Sequence, residues 1–184
     1  MDFSLSNKSL KNMAYELLNI YRKEGMPVFV CVGSDKYVCD SLAPIVAENL
    51  KKVYNIRAYV YGGLDYNING TNISQAINYI ETEHPYNSIV IIDATLGDTV
   101  GRVKLTTSCY PAGGRTLPIR KMGVHSILGV VGRNTTNFDL NTTRLRSVIK
   151  LSEFISKAVA MSLWYYLGSD VDRANIDGSL ICWK

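Results

Sequence analysis

The sequence predicts an α/β fold, a three-layer α/β/α sandwich around a mostly parallel central sheet. Two observations carry this. The apolar runs Val28-Phe29-Val30-Cys31-Val32 and residues 88–92 are short and nearly continuous, and end abruptly at Gly33 and Asp93, as strands buried on both faces do. Around them lie segments whose apolar residues recur at helical spacing. Such alternation favours a parallel sheet clothed by helices.

In chain order, Leu10, Met13, Ala14, Leu17 and Tyr21 predict an amphipathic helix over about residues 7–23, stopped by Gly25 and Pro27. The first strand follows at residues 28–32. A helix is expected from Asp40 to about Tyr54, with Asp40 as its N-cap and Pro44 in its first turn, where a missing N–H costs little. Residues 56–61 read as a second strand closed by Gly62-Gly63. Ile73, Ala76, Ile77 and Ile80 mark a helix ending near His84-Pro85, with His84 read as a surface cap. Residues 88–92 are the third strand, closed by Asp93. Right-handed crossovers place strand one beside strand three.

Residues 100–108 read as an exposed or edge strand, Pro111-Ala112-Gly113-Gly114 and Leu117-Pro118 as turns, and residues 125–131 as a further strand. A long helix from Asn141 or Thr142 to Leu167 carries Val148, Leu151, Ile155 and Val159 on one stripe, with Gly168 as its stop. Its last turns are apolar almost all round, which predicts deep burial or a subunit contact between copies.

The chain has 184 residues, 47% hydrophobic and 20% charged, which suits one domain with its own core. The net charge of +4 is spread along the chain, so no nucleic-acid footprint is expected. Residues 1–11 are polar and no apolar run approaches the ~20 residues of a membrane span. The four cysteines, Cys31, Cys39, Cys109 and Cys182, include no C-x-x-C pair and read as reduced thiols in a cytosol. There is neither G-x-x-x-x-G-K-S/T nor G-x-G-x-x-G after strand one, and Asp35 stands where a phosphate would need bare backbone donors; a nucleotide cofactor is therefore not expected.

The chemistry-bearing pattern is a pair of loops. Gly33-Ser34-Asp35 through Asp40-Ser41-Leu42-Ala43-Pro44 follows strand one, and Ile92-Asp93-Ala94-Thr95-Leu96-Gly97 follows strand three. If the strands are neighbours, both loops open at the crevice where open α/β sheets bind ligands. Asp40 and Asp93 would then face each other, and close carboxylates cannot both ionise easily, so one pKa rises. Such a pair can activate water and protonate a leaving amine. Ser34, Asp35, Ser41 and Thr95 in the same loops, with Arg115 beyond them, are the candidate substrate-binding residues; Asp98 ranks behind. Each aspartate has a plainer reading, Asp40 as a helix cap and Asp93 as a turn former.

The pattern G-S-D…D-S-L-A-P followed by I-D-A-x-L-G resembles the YyaC-type sporulation protein family and, more distantly, the spore germination protease and the hydrogenase maturation proteases. The likeness continues through Pro111-Ala112-Gly113-Gly114, the Ser126-Ile127-Leu128-Gly129-Val130-Val131 strand and Asn141-Thr142-Thr143-Arg144-Leu145, over roughly residues 28–167. It implies a phosphorylase/hydrolase-like sandwich in which Asp40 and Asp93 match a proposed catalytic pair, acting on small acid-soluble spore proteins in the forespore or mother cell of a spore former. In the maturation proteases, acids at corresponding positions and a later histidine bind the nickel of the substrate. Ala43 departs from the glycine usual there, and the chain is much shorter than a germination protease.

His125 is the candidate third metal ligand beside Asp40 and Asp93, since carboxylate plus imidazole suits a divalent transition metal. Its plainer reading is a satisfied, partly buried strand histidine. Arg115, Arg120 and Lys121 would attract an acidic protein substrate or form a solvated basic loop. Tyr37, Tyr61, Tyr66 and Tyr110 are positioned in loops or strand ends that could line a peptide groove. The partner expected is thus a protein or peptide, held either for cleavage or, in a non-catalytic relative, for binding alone.

Overall fold

The computed structural model describes residues 1–107, 124–133 and 143–168. Its strands are β1 (Asp2–Phe3), β2 (Val28–Cys31), β3 (Val60–Tyr61), β4 (Ile89–Leu96), β5 (Val103–Thr106) and β6 (Val124–Gly132). Its α-helices are α1 (Asn7–Glu24), α2 (Leu42–Glu48), α3 (Ile73–Glu83) and α4 (Leu145–Leu167). The strands form one sheet in the order β1-β5-β6-β4-β2-β3. β3, β2, β4 and β6 run parallel, β5 runs antiparallel to β6, and β1 runs antiparallel to β5.

The expected neighbourhood of strands one and three is present. Val28 pairs with Ile89 and Cys31 with Ile92 in a continuous parallel register. Because side chains alternate across a strand, Phe29, Cys31, Val90 and Ile92 enter the core under α1, α2 and α4. Val28, Val30, Ile89 and Ile91 enter a smaller core under α3. Each large aliphatic side chain so buried contributes roughly 1.5–3 kcal/mol.

α1 begins at Ser6, whose Oγ accepts the Ser9 N–H, and ends at Gly25 in the positive-φ conformation expected of a stop. Tyr21 on its inner face is fully buried, edge-on to Phe29 and Tyr166. α4 ends at Gly168 in the left-handed conformation. In its last turns Leu163 is buried while Tyr165 and Leu167 are exposed. No helix of the described residues is long and apolar enough to cross a membrane.

Several expectations are corrected. The helix expected over residues 40–54 is three pieces: a 3₁₀ turn at Val38–Asp40, α2, and a π-helical turn at Asn49–Val53. Asp40 does not cap it. Its carbonyl is taken by the Ser34 N–H at 3.1 Å and its own N–H by the Tyr37 carbonyl at 3.0 Å, which fixes it in a separate turn. The second strand shrinks to Val60–Tyr61, because the chain before it is drawn back by the Ile56 N–H bond to the Leu50 carbonyl. β5 is not an edge strand: β1, unforeseen in so short and polar a segment, covers it. The long helix starts at Leu145; residues 141 and 142 lie outside the described residues.

Candidate active site at the carboxyl edge of the sheet

The site is built on Gly33, the first residue past β2 and its bridge residue Val32. Its φ is +150°, a conformation L side chains rarely adopt. A Cβ there would run into the Asp40 carbonyl oxygen and approach Pro44 Cδ at 3.1 Å. Only glycine lets the chain fold back so tightly that Asp40 lies on the strand end. The same logic acts below α2. A Cβ on Gly129 of β6 would collide with Leu42 Cδ1, so the bare glycine lets the start of α2 lie on the sheet. From above, Ser152 of α4, fully buried, donates its hydroxyl to the Leu42 carbonyl at 3.1 Å and the Val148 carbonyl at 2.9 Å. These contacts hold α2, and with it Asp40, at the crevice beside β4.

Asp40 is half-buried. Burial pushes its carboxyl above the ordinary carboxylate range, and the Ser34 N–H draws it part of the way back. The expected cause, a second nearby carboxylate, is not the one at work. Asp93 is not at the strand end: β4 continues through Ala94 and Thr95 to Leu96, all three in register with β6. By alternation Asp93 shares the α3 face with Ile89 and Ile91, whereas the Asp40 main chain approaches from the α2 face. Asp93 is 7% exposed, and its Oδ1 accepts the Ala94 N–H at 2.7 Å. The two aspartates thus reach the same edge from opposite faces of the sheet.

The hydroxyls of the three candidate binding residues that carry one are all engaged within the chain. Ser34 Oγ accepts the Lys36 N–H at 3.3 Å and Ser41 Oγ donates to the Val38 carbonyl at 2.8 Å, so both shape the turn carrying Asp40. Thr95 is half-buried and donates to the Leu96 carbonyl at 3.3 Å. Asp35 and Asp98 are exposed. Arg115, Arg120, Lys121, Tyr110, Cys109 and Cys182 lie outside the described residues. Cys31 and Cys39 are free and buried, and burial pushes the Cys31 thiol up to about 12, as an inert core thiol requires.

The metal set is not brought together. His125 pairs in register with Val90, three residues before Asp93, which separates it from Asp93 by about 10 Å along the strand. It also faces α1, where its Nε2 meets Glu24 Oε2 at 2.7 Å. Among the described residues no group of three His, Cys, Asp or Glu could hold a metal ion. Among the described residues, those at the crevice therefore do not fit a resident metal. His84 is the C-cap of α3 as expected, its N–H donating to the Ile80 carbonyl, but it is not at the surface: it is 7% exposed, with Nε2 2.8 Å from the Tyr61 hydroxyl and its ring against Tyr59.

Gly33 was legible as a strand stop. Gly129, Ser152 and Ser156, which hold α2 in place, carry no motif that marks them in the sequence. The signal for the serines was there: two hydroxyls four residues apart on an otherwise apolar helical stripe. Ser156 receives the Asn49 side-chain N–H at 3.3 Å where the π turn begins.

Comparison with known proteins agrees with this fold. The chain belongs to the DUF1256 family, described as "Protein of unknown function", whose profile matches residues 3–158. It is 28% identical over 150 residues to the "Uncharacterized protein YyaC" of Bacillus subtilis (strain 168), a match covering 78% of this chain and 73% of that one. It is similar in fold to the crystal structure of the NiFe hydrogenase maturation protease HycI from Thermococcus kodakarensis KOD1, with a TM-score of 0.50, 16% identity, and coverage of 78% of this chain and 98% of that chain. The likeness to that structure is one of fold, and the expected α/β architecture stands.

Proposed function

We propose that this chain is a peptide hydrolase in which Asp40 is the general acid and Asp93 the general base. The observation that carries the reading is the state of Asp40: a carboxyl held half-buried, with its pKa raised by burial, at the carboxyl edge of a parallel sheet. An acid that keeps its proton above the ordinary carboxylate range can still donate it near working pH. In the proposed reaction, Asp93 accepts a proton from water as the water oxygen attacks the scissile carbonyl carbon. Asp40 gives its proton to the departing amine nitrogen as the C–N bond breaks. The products are a carboxylic acid and an amine, and the cycle closes when Asp93 gives its proton to solvent and Asp40 takes one up from it. The substrate class implied by the family resemblance is a spore protein, small acid-soluble proteins foremost, cleaved internally during the spore programme.

One observation favours a second reading, a sporulation protein that uses the crevice only to bind a partner. Asp93 is nearly buried, and alternation puts it on the other face of the sheet from the Asp40 main chain.

The deciding experiment is a digest read by mass spectrometry. The folded protein and its Asp40→Asn and Asp93→Asn variants are incubated with small acid-soluble spore proteins across a range of pH, with and without chelator. Discrete cleavage lost in both variants and indifferent to chelator supports the hydrolase. Absence of cleavage by folded protein at every pH leaves the binding reading.

A further inference from the structure

Away from the Asp40 crevice, β3 and α3 bring aromatic side chains together at the β3 edge of the sheet. Tyr59 and Tyr61 are two residues apart in extended chain, which puts both on the α3 face. Tyr79 and Glu83 are four residues apart on α3 and so neighbours on one side of that helix. His84, the buried C-cap of α3, joins the two elements. Its Nε2 lies 2.8 Å from the Tyr61 hydroxyl, and its ring centroid 4.4 Å from that of Tyr59 and 5.6 Å from that of Tyr61. Tyr61 in turn meets Tyr79 edge-on, with centroids 6.2 Å apart.

The four rings form a continuous row in the order Tyr59, His84, Tyr61, Tyr79. Its ends are open, Tyr59 62% and Tyr79 56% exposed, while Tyr61 is half-buried between them. Among the described residues no ring contact joins Tyr59 to Tyr79 directly, so the two exposed rings stand on either side of the Tyr61 and His84 pair. Interplanar angles of 49°, 66° and 76° turn the rings away from stacking, which leaves ring faces free for a ligand. Those faces carry the negative part of the ring quadrupole. The charge beside them is negative too. Burial is the larger cause, but Tyr79, Glu83 and Tyr59 also hold the Tyr61 hydroxyl above its ordinary range. Glu83 is exposed, and among the described residues no lysine or arginine pairs with it.

We propose that this cluster binds a small quaternary ammonium ion, with Tyr61 and His84 as the floor, Tyr59 and Tyr79 as the walls, and Glu83 as the counter-charge. The chemistry of the cluster selects the occupant. Aromatic faces and a carboxylate attract a cation, and the alkyl groups of a quaternary ammonium pack on the rings. A bare ammonium is more strongly hydrated and would give up more water to enter. The site is separate from the proposed hydrolysis. The Tyr59 carbonyl accepts the Phe29 N–H at 2.9 Å near the start of β2, whereas Asp40 follows the far end of that strand.

The test is an NMR titration of the full chain, read at the tyrosine ring resonances. The probes are choline and the neutral alcohol that has carbon in place of its nitrogen. Choline should shift the rings of Tyr59, Tyr61 and Tyr79 and leave that of Tyr15, a 58% exposed tyrosine on α1, in place. It should bind about tenfold tighter than the neutral alcohol. Tyr59→Ala and Tyr79→Ala should each weaken choline by about threefold or more, while Tyr59→Phe keeps the affinity. Glu83→Gln should weaken it by about threefold, and salt should erode binding to the parent protein. Arg57→Ala, which removes the exposed cation two residues before Tyr59, should not weaken it. Equal binding of choline and the neutral alcohol, indifference to both alanine variants, or shifts spread evenly over all tyrosines overturns the proposal. So does a trimethyllysine pentapeptide that binds about tenfold tighter than choline, which would make the occupant a protein segment and not a free ion. None of these outcomes depends on cleavage, so the hydrolase stands or falls separately.

Discussion

The two edges of the parallel sheet treat their titratable groups in opposite ways. At the amino edge, two side chains are paired across elements, although among the described residues Ser88 Oγ and His125 Nδ1 are buried without a hydrogen-bond partner. His125 meets Glu24 at 2.7 Å, and the Asn87 side chain donates to the Met26 carbonyl at 2.9 Å. At the carboxyl edge, Asp40 is half-buried and, among the described residues, no ion pair reaches it. A paired group holds elements together; a desolvated, unneutralised carboxyl is costly for the fold, and groups of that kind concentrate at functional sites. On the proposed reading, one edge serves structure and the other chemistry.

The strongest way to break the contrast is at Gly33. Gly33→Ala forces both a strained φ and a collision with the Asp40 carbonyl, and should lower stability in urea unfolding by about 3 kcal/mol. Gly101 is also at positive φ, but a Cβ added there would meet nothing within 4 Å. The same change at Gly101 should cost only about 1 kcal/mol. Equal losses would mean that the Asp40 turn is not packed as described.

Next in size is a crossed pair of variants. His125→Ala removes the partner of a partly buried carboxylate and should cost about 2 kcal/mol, with cleavage per folded molecule unchanged. Asp40→Asn should do the reverse, abolishing cleavage without loss of stability at neutral pH. Loss of activity in folded His125→Ala would return chemistry to the amino edge.

The pH dependence of stability gives the sign of Asp40's environment. Below the unfolded pKa the carboxyl is protonated in both states and contributes nothing. As pH rises from there through the raised folded value, the unfolded chain releases the proton first, so the native state loses stability. Asp40→Asn should therefore match the parent near pH 3 and be the more stable protein at pH 7. A variant less stable at pH 7 than at pH 3, relative to the parent, would contradict the burial argument. The smallest effect concerns the clamp on α2: Ser152→Ala removes the hydroxyl bound to the Leu42 carbonyl and should cost about 1 kcal/mol in the same unfolding assay.

How far all this was legible in the sequence depends on the kind of signal. The β2–α2–β4 core was readable because continuous apolar runs and helical spacing are local patterns. That Asp40 follows β2 and Asp93 lies on the neighbouring strand β4 was readable from topology. The face each aspartate occupies was not: Ile92-Asp93-Ala94 reads as a stop, yet strand pairing with β6 carries the backbone on to Leu96. His125 suggested a ligand because sequence places it near the motif, whereas register puts it three residues too early and opposite α1. His84 read as a surface cap because its tyrosine partners are distant in sequence. Gly129 and Ser152 act through contacts between elements far apart in the chain, to which periodicity is blind.

The central claim is that burial, and not a neighbouring carboxylate, sets the proton affinity of Asp40. Its most direct test is a carboxyl-carbon NMR titration of Asp40 in the parent protein and in Asp93→Asn. The account requires a midpoint above the ordinary value of about 3.9, essentially unmoved by the Asp93 substitution. A midpoint at or below that value, or one that falls when Asp93 loses its charge, would contradict it.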